Sequence, residues 1–136
     1  MLIIKEPGEE TMKAQIKKVL IIDDSDDDRL LAKKILEKHG YKVLEASNWL
    51  DAISLVENGS IDLVILDLRM PEMDGFELLG IIRKHNNKLE LPIIMYTSST
   101  TVSAKDCVSK GSNYFVQKYS DPKILLDKIE EAFSVI

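Results

Sequence analysis

Four groups of polar residues stand out by type and by place: the paired acids Asp23-Asp24, the single acid Asp67, the hydroxyl pair Thr97-Ser98, and Lys118. Each follows closely on a short apolar run. Three carboxylates gathered in one place repel one another and raise some of their own pKa values unless a cation holds them ionised. An all-oxygen donor set with no cysteine or histidine beside it suits a hard cation. A few carboxylates completed by water and a substrate phosphate suit Mg²⁺ better than a dedicated Ca²⁺ cage. Lys118 adds a fixed positive charge for phosphoryl oxygens, and Thr97 adds a hydroxyl donor. Asp67 stands alone at the end of its run and is the candidate nucleophile, able to attack phosphorus and form an aspartyl phosphate.

Taken singly, each of these residues has an ordinary explanation. Asp23-Asp24 with Ser25-Asp26-Asp27-Asp28 reads equally as a helix N-terminus enriched in acids, which the macrodipole favours. Asp67 alone could be a turn residue, Thr97 a strand-end hydroxyl and Lys118 a solvated lysine. The functional reading rests on convergence: complementary groups at the ends of runs expected to be neighbours.

Those runs are Val19-Leu20-Ile21-Ile22, Lys42-Val43-Leu44, Leu63-Val64-Ile65-Leu66, Ile93-Ile94-Met95-Tyr96 and Tyr114-Phe115-Val116. They alternate with amphipathic stretches, the pattern of a parallel sheet covered by helices on both faces. Near-continuous apolarity marks the first, third and fourth runs as buried on both sides. Ser25 or Asp26 caps a first helix with Leu31, Ile35 and Leu36 on its inner face and Gly40 beyond its end. Asn48 caps a second, which buries Trp49 or Leu50 with Ile53 and Val56 and stops at Asn58-Gly59. Asp74-Gly75-Phe76-Glu77 has the form of a capping box and opens a third. A weaker fourth helix is expected over about Thr101 to Lys110. Asp121-Pro122 opens a fifth, in which Leu125, Ile129 and Phe133 recur every four residues. The expected architecture is a doubly wound α/β protein, a five-stranded parallel sheet in a three-layer (βα)5 sandwich. In such sheets ligands bind beyond the carboxyl ends of the strands, where the polar groups lie.

The 136 residues fit one domain, with 1–16 an N-terminal tail and 17–136 the folded unit. A composition 45% hydrophobic and 30% charged is that of a globular chain. A net charge of -5 disfavours direct binding to nucleic acid or to anionic membranes. Cys107 is the only cysteine, which excludes an intrachain disulfide and suits a reducing compartment, and no apolar stretch is long enough to span a bilayer. The expected location is the cytoplasm.

The segments Val19 to Asp24, Asp67-Leu68-Arg69-Met70-Pro71-Glu72-Met73-Asp74-Gly75, Pro92 to Thr97, and Lys118 together resemble the receiver domain of two-component response regulators, of the single-domain chemotaxis-regulator type. The resemblance runs from about Lys17 to the C-terminus and implies a flavodoxin-like fold. It also implies that Asp67 accepts a phosphoryl group from a sensor histidine kinase, a histidine phosphotransfer protein or a small donor such as acetyl phosphate. Asp24, Asp67 and the backbone carbonyl of Arg69 would ligate Mg²⁺, with Asp23 acting through water. Lys118 would pair with the phosphoryl group and Thr97 would move toward it. Phe115 would then turn inward and reshape the surface of the fourth helix, fifth strand and fifth helix for a downstream target protein or an output domain missing from this chain. Such a protein is a switch that catalyses its own phosphorylation and dephosphorylation, not an enzyme acting on other molecules.

Three positions depart from the family pattern. Tyr119 follows Lys118 where proline is usual, and a trans bond is expected there. Phe115 lacks the hydroxyl of the common tyrosine. Ser98 stands where alanine or glycine is common. The Arg69 side chain is expected to pair with the Asp26-Asp27-Asp28 run or to lean toward the phosphoryl group. Three other readings compete with the receiver. A haloacid-dehalogenase-like phosphatase needs an acid where Arg69 stands. A flavodoxin-like electron carrier needs a hydroxyl- and glycine-rich phosphate loop after the first strand. A receiver-like scaffold that signals by protein binding without phosphorylation is opposed by the intact Asp23, Asp24, Asp67, Thr97 and Lys118. His39, His85, Trp49 and Cys107 are read as surface or packing residues.

Overall fold

Alternation along the strands divides the apolar residues into two sets, and the fold buries each set under its own helices. The computed structural model describes residues 16–134. The tail assigned to 1–16 therefore lies outside the described residues except for Ile16, which is exposed. The strands are β1 (Lys18–Ile22), β2 (Lys42–Ala46), β3 (Leu63–Leu66), β4 (Ile93–Thr97) and β5 (Tyr114–Gln117). The helices are α1 (Asp26–Lys38), α2 (Trp49–Asn58), α3 (Gly75–Arg83), α4 (Ala104–Ser109) and α5 (Pro122–Ser134). All pairings are parallel, in the order β2-β1-β3-β4-β5, as expected for a doubly wound sheet. The three runs read as doubly buried are the three central strands.

On one side Leu20, Ile22, Val64, Leu66, Ile93 and Met95 pack with Ala52 of α2, Leu78, Leu79 and Ile82 of α3, and Cys107 of α4. On the other, Val19, Ile21, Leu63, Ile65, Ile94 and Val116 pack with Ala32 and Leu36 of α1 and with Leu125, Ile129 and Ala132 of α5. Removing such side chains from water is the main favourable term in folding, about 25 cal/mol per Å² of apolar surface.

The helix starts follow the expected caps. Ser25 Oγ accepts from the Asp28 amide, Asn48 Oδ1 from the Asp51 amide, and Asp74 Oδ1 from the Glu77 amide, with Glu77 completing the box. Asp121 Oδ1 accepts from the Lys123 amide at the start of α5. Two expectations are corrected. Leu31 is 48% exposed, and Ala32 and Leu36 are the buried residues of α1, since the inner stripe runs through 32 and 36. Of the alternatives Trp49 and Leu50, Trp49 packs against the core and Leu50 is exposed. The fourth helix starts at Ala104 rather than near Thr101, because Ser103 and Asp106 form a capping box that leaves Thr101 and Val102 outside. Every peptide bond among the described residues is trans, the one after Lys118 included.

Candidate functional site

The same alternation that sorts the core also brings the acids together. Asp23 and Asp67 continue the side of Ile21 and Ile65, and Lys118 continues that of Val116, so all three point toward α1 and α5. The Asp67 amide donates to Ile22 O at 2.9 Å, which sets the ends of β3 and β1 level, and the Lys118 amide donates to Thr97 O at 2.9 Å. Carboxylate oxygens of Asp23, Asp24 and Asp67 all lie within 4.8 Å of one another, with Asp23 and Asp67 buried and Asp24 exposed. They open into a cleft of about 560 Å³ whose lining includes Asp24, Asp28, Asp67, Arg69, Ser98 and Lys118.

Lys118 is the electrostatic centre of the cleft floor. Its ammonium lies 2.6 Å from Asp23 Oδ2, 2.8 Å from Asp28 Oδ2 and 3.3 Å from Asp67 Oδ2, with its side chain 3% exposed. Burial alone would lower its pKa, but hydrogen bonds to Asp23 and Asp28 outweigh burial and hold the lysine firmly cationic. Burial pushes the Asp23 carboxyl up, against the hydrogen bond from Lys118. Asp28 goes the other way: its slight burial is outweighed by hydrogen bonds from Lys118 and Tyr119, which keep the carboxyl below its ordinary range.

Gly75 explains why the segment from Asp67 ends in Asp74-Gly75. It donates its amide to Leu68 O at 2.6 Å, and a Cβ there would stand 2.5 Å from Asp67 O and 2.7 Å from Leu68 Cα. The start of α3 can lie against the main chain of Asp67 only because this residue has no side chain.

Thr97 and Phe115 occupy the opposite side of the sheet from the acids. Thr97 follows the side of Met95 and is 1% exposed, with its Oγ1 accepting from the Ser99 amide at 3.2 Å. Phe115 is the register partner of Met95 and packs half-buried against the cluster of α2, α3 and α4. Ser98 is exposed at the cleft wall. Arg69 lines the cleft and is exposed, but its guanidinium forms no ion pair among the described residues. Of the acids expected to hold it, Asp26 is engaged by Arg29 and Asp28 by Lys118 and Tyr119, and the exposed Asp27 does not pair with it.

Three contributors were not singled out in the sequence. Asp28 reaches Lys118 from α1. Tyr119 donates its hydroxyl to Asp28, 2.9 Å from Oδ1 and 3.0 Å from Oδ2. Arg29 donates from Nη1 to the carbonyl of Asp23 at 2.8 Å and pairs with Asp26 and Glu45, so it buttresses the first acidic turn. The acidic run carried a weak signal for Asp28, but nothing local marks which of its acids faces inward. The residues set aside as non-functional fit that reading: His39 bonds Ile35 O from its ring, and burial pushes the Cys107 thiol up.

Fold and site together define a doubly wound α/β protein with an acidic pocket and a buried lysine at the carboxyl ends of its strands. The family model for the response regulator receiver domain matches residues 19–130. The sensor histidine kinase CheAY of Helicobacter pylori is 36% identical over 106 residues, 75% of this chain and 13% of that protein. The transcriptional regulatory protein SrrA of Staphylococcus aureus is 34% identical over 110 residues, 79% of this chain and 44% of that one. The chain thus spans less than half the length of these curated relatives. Among solved structures, a CheY-like receiver domain protein of Methanospirillum hungatei matches with a TM-score of 0.78 and 30% identity, covering 88% of this chain and 95% of that one. The response regulator TrrA of Thermotoga maritima, in complex with Mg²⁺-BeF, matches with a TM-score of 0.77 and 33% identity over 85% of this chain and 98% of that one. The chain belongs to the response regulator receiver domain family, the phosphoryl-accepting module of two-component systems.

Proposed function

We propose that this receiver takes its phosphoryl group on Asp67, with Asp24, Asp67 and the backbone carbonyl of Arg69 as direct ligands for Mg²⁺ and Asp23 holding it through water. The observation that carries the reading is the gathering of three carboxylates around one end of the sheet beside a buried lysine. The donor set fits the cation: all oxygen, few in number, and open to a cleft that admits water and a phosphate. When bound, Mg²⁺ supplies charge neutralisation for the acids and for the phosphoryl oxygens. Asp67 Oδ attacks phosphorus as the bond from phosphorus to the histidine nitrogen breaks, and the electron pair stays with the imidazole, which takes up a proton. Lys118 would neutralise a phosphoryl oxygen, and Thr97, at the end of β4, would move toward the phosphoryl group and donate its hydroxyl to another oxygen.

The donor is a sensor histidine kinase or a histidine phosphotransfer protein; one matched relative, CheAY, is a sensor histidine kinase by name. The reader of the phosphorylated state is a downstream target protein or an output domain. In both cases the change is carried from Thr97 to Phe115 and on to the surface of α4, β5 and α5. The folded unit is assigned to 17–136 and its action to the cytoplasm, and no described helix is long and apolar enough to cross a membrane. Incubation with Mg²⁺ and acetyl phosphate, followed by intact mass, is expected to add one phosphoryl group to the wild-type chain and none to Asp67→Asn, whose amide is nearly isosteric but not nucleophilic. A phosphorylated Asp67→Asn protein would end the assignment.

A further inference from the structure

An ammonium has three N–H groups, and in Lys118 all three are engaged: by Asp23 at 2.6 Å, Asp28 at 2.8 Å and Asp67 at 3.3 Å. A phosphoryl oxygen arriving at Asp67 can be met by this lysine only if one of those carboxylates lets go. Asp23 and Asp67 belong to the metal pocket. Asp28 does not: it sits one turn into α1, reaches the lysine from the cleft wall, and is held in place by two bonds of its own. Its amide is donated to Ser25 Oγ, and its carboxylate receives the Tyr119 hydroxyl on both oxygens. Tyr119 makes that bond from a left-handed backbone conformation, φ 64°, which a non-glycine residue adopts at a cost. The residue after the lysine is thus turned back across the cleft toward α1.

We infer that Asp28, fixed by Tyr119, is a positioning residue that restrains Lys118 in the unphosphorylated protein and thereby slows phosphorylation of Asp67. The inference rests on the receiver reading given above. Two physical effects act in the same direction. Asp28 occupies a lysine proton that the phosphoryl oxygens need, and its charge lies in the lining of the cleft through which a phosphodonor, itself anionic, must pass. Tyr119 acts through Asp28, the one residue to which its hydroxyl hydrogen-bonds among the described residues. Asp27, the neighbouring acid in the same helical turn, is exposed and serves as the control for charge without contact.

The test uses the full chain with Mg²⁺ and phosphoramidate and follows the mass of the protein with time. In that reaction the Asp67 oxygen bonds to phosphorus while the P–N bond breaks, and the nitrogen leaves with a proton as ammonia. Asp28→Asn is expected to phosphorylate about fivefold faster than wild type, Tyr119→Phe faster by a smaller factor, and Asp27→Asn at close to the wild-type rate. The Asp28→Ala/Tyr119→Phe double variant should match Asp28→Ala, because without a side-chain acceptor at that position the tyrosine has nothing left to hold. A second readout needs neither metal nor phosphodonor. The Lys118 side-chain resonance in lysine-labelled protein should shift in Asp28→Asn and stay in place in Asp27→Asn. Equal phosphorylation rates for Asp28→Asn and Asp27→Asn would overturn the inference. If the wild-type chain takes up no phosphoryl group at all, the receiver chemistry fails first, and an unmoved Lys118 resonance in Asp28→Asn then overturns the restraint as well.

Discussion

At the scale of single residues, Gly75 and Lys118 show how closely the pocket is built. Lys118 has its donors turned to three carboxylates in this state, and a glycine, Gly75, lies against the main chain of Asp67. Gly75→Ala is therefore expected to cost about 2 kcal/mol, the usual range for a forced overpacking, because the new methyl meets backbone and not a movable side chain. Urea unfolding should show a lower midpoint, and acetyl phosphate should load Asp67 more slowly as the strand end is pushed. An unchanged midpoint with unchanged loading would mean that α3 can slide away from Asp67 freely. Both residues belong to the matched motif segments, yet their reasons differ: one is chosen for its charge, the other for the absence of a side chain.

At the scale of elements, the two sides of the sheet divide the labour. Asp23, Asp67 and Lys118 share the side of α1 and α5, whereas Thr97 and Phe115 share that of α2, α3 and α4. On the proposed switch a change at the phosphoryl site would reach Phe115 across β4 and β5, so the helix nearest that path would matter most. That helix, α4, has six residues, Cys107 is its one buried residue, and it is held at its start by the Ser103-Asp106 box. Ser103→Ala is expected to remove about 1 kcal/mol of local stability, the usual value of an N-cap. Amide hydrogen exchange should speed up in α4 while β1 and β3 keep their protection. Equal protection of α4 in both proteins would show that its packing on β5, and not the cap, holds it.

At the scale of the whole molecule, folding holds three carboxylates together against their repulsion, which a bound divalent cation would relieve. Mg²⁺ at about a hundred times its dissociation constant should stabilise the fold by about 2.7 kcal/mol, as for any ligand bound only by the native state. The melting temperature should rise with Mg²⁺ and return to its starting value on chelation. An identical rise with sodium chloride of matched ionic strength would reduce the effect to screening. Much of this protein was legible in its sequence. The alternation of apolar runs with capped amphipathic stretches dictates the layered parallel sheet, because each signal is local: a period, a cap or a glycine. The polar residues at the strand ends were legible for a related reason, since in a parallel sheet every strand delivers its last residue to the same edge. What local signals could not carry was which side chains meet across that edge. Asp28 was one acid in a run of three until the packing of α1 aimed it at Lys118, 90 residues away. Of the two placements expected for Arg69, pairing with that run is not formed, and two of its acids are engaged instead by Arg29, Lys118 and Tyr119. Competition among several charges for one partner is decided by three-dimensional distance, and only the tertiary structure sets it.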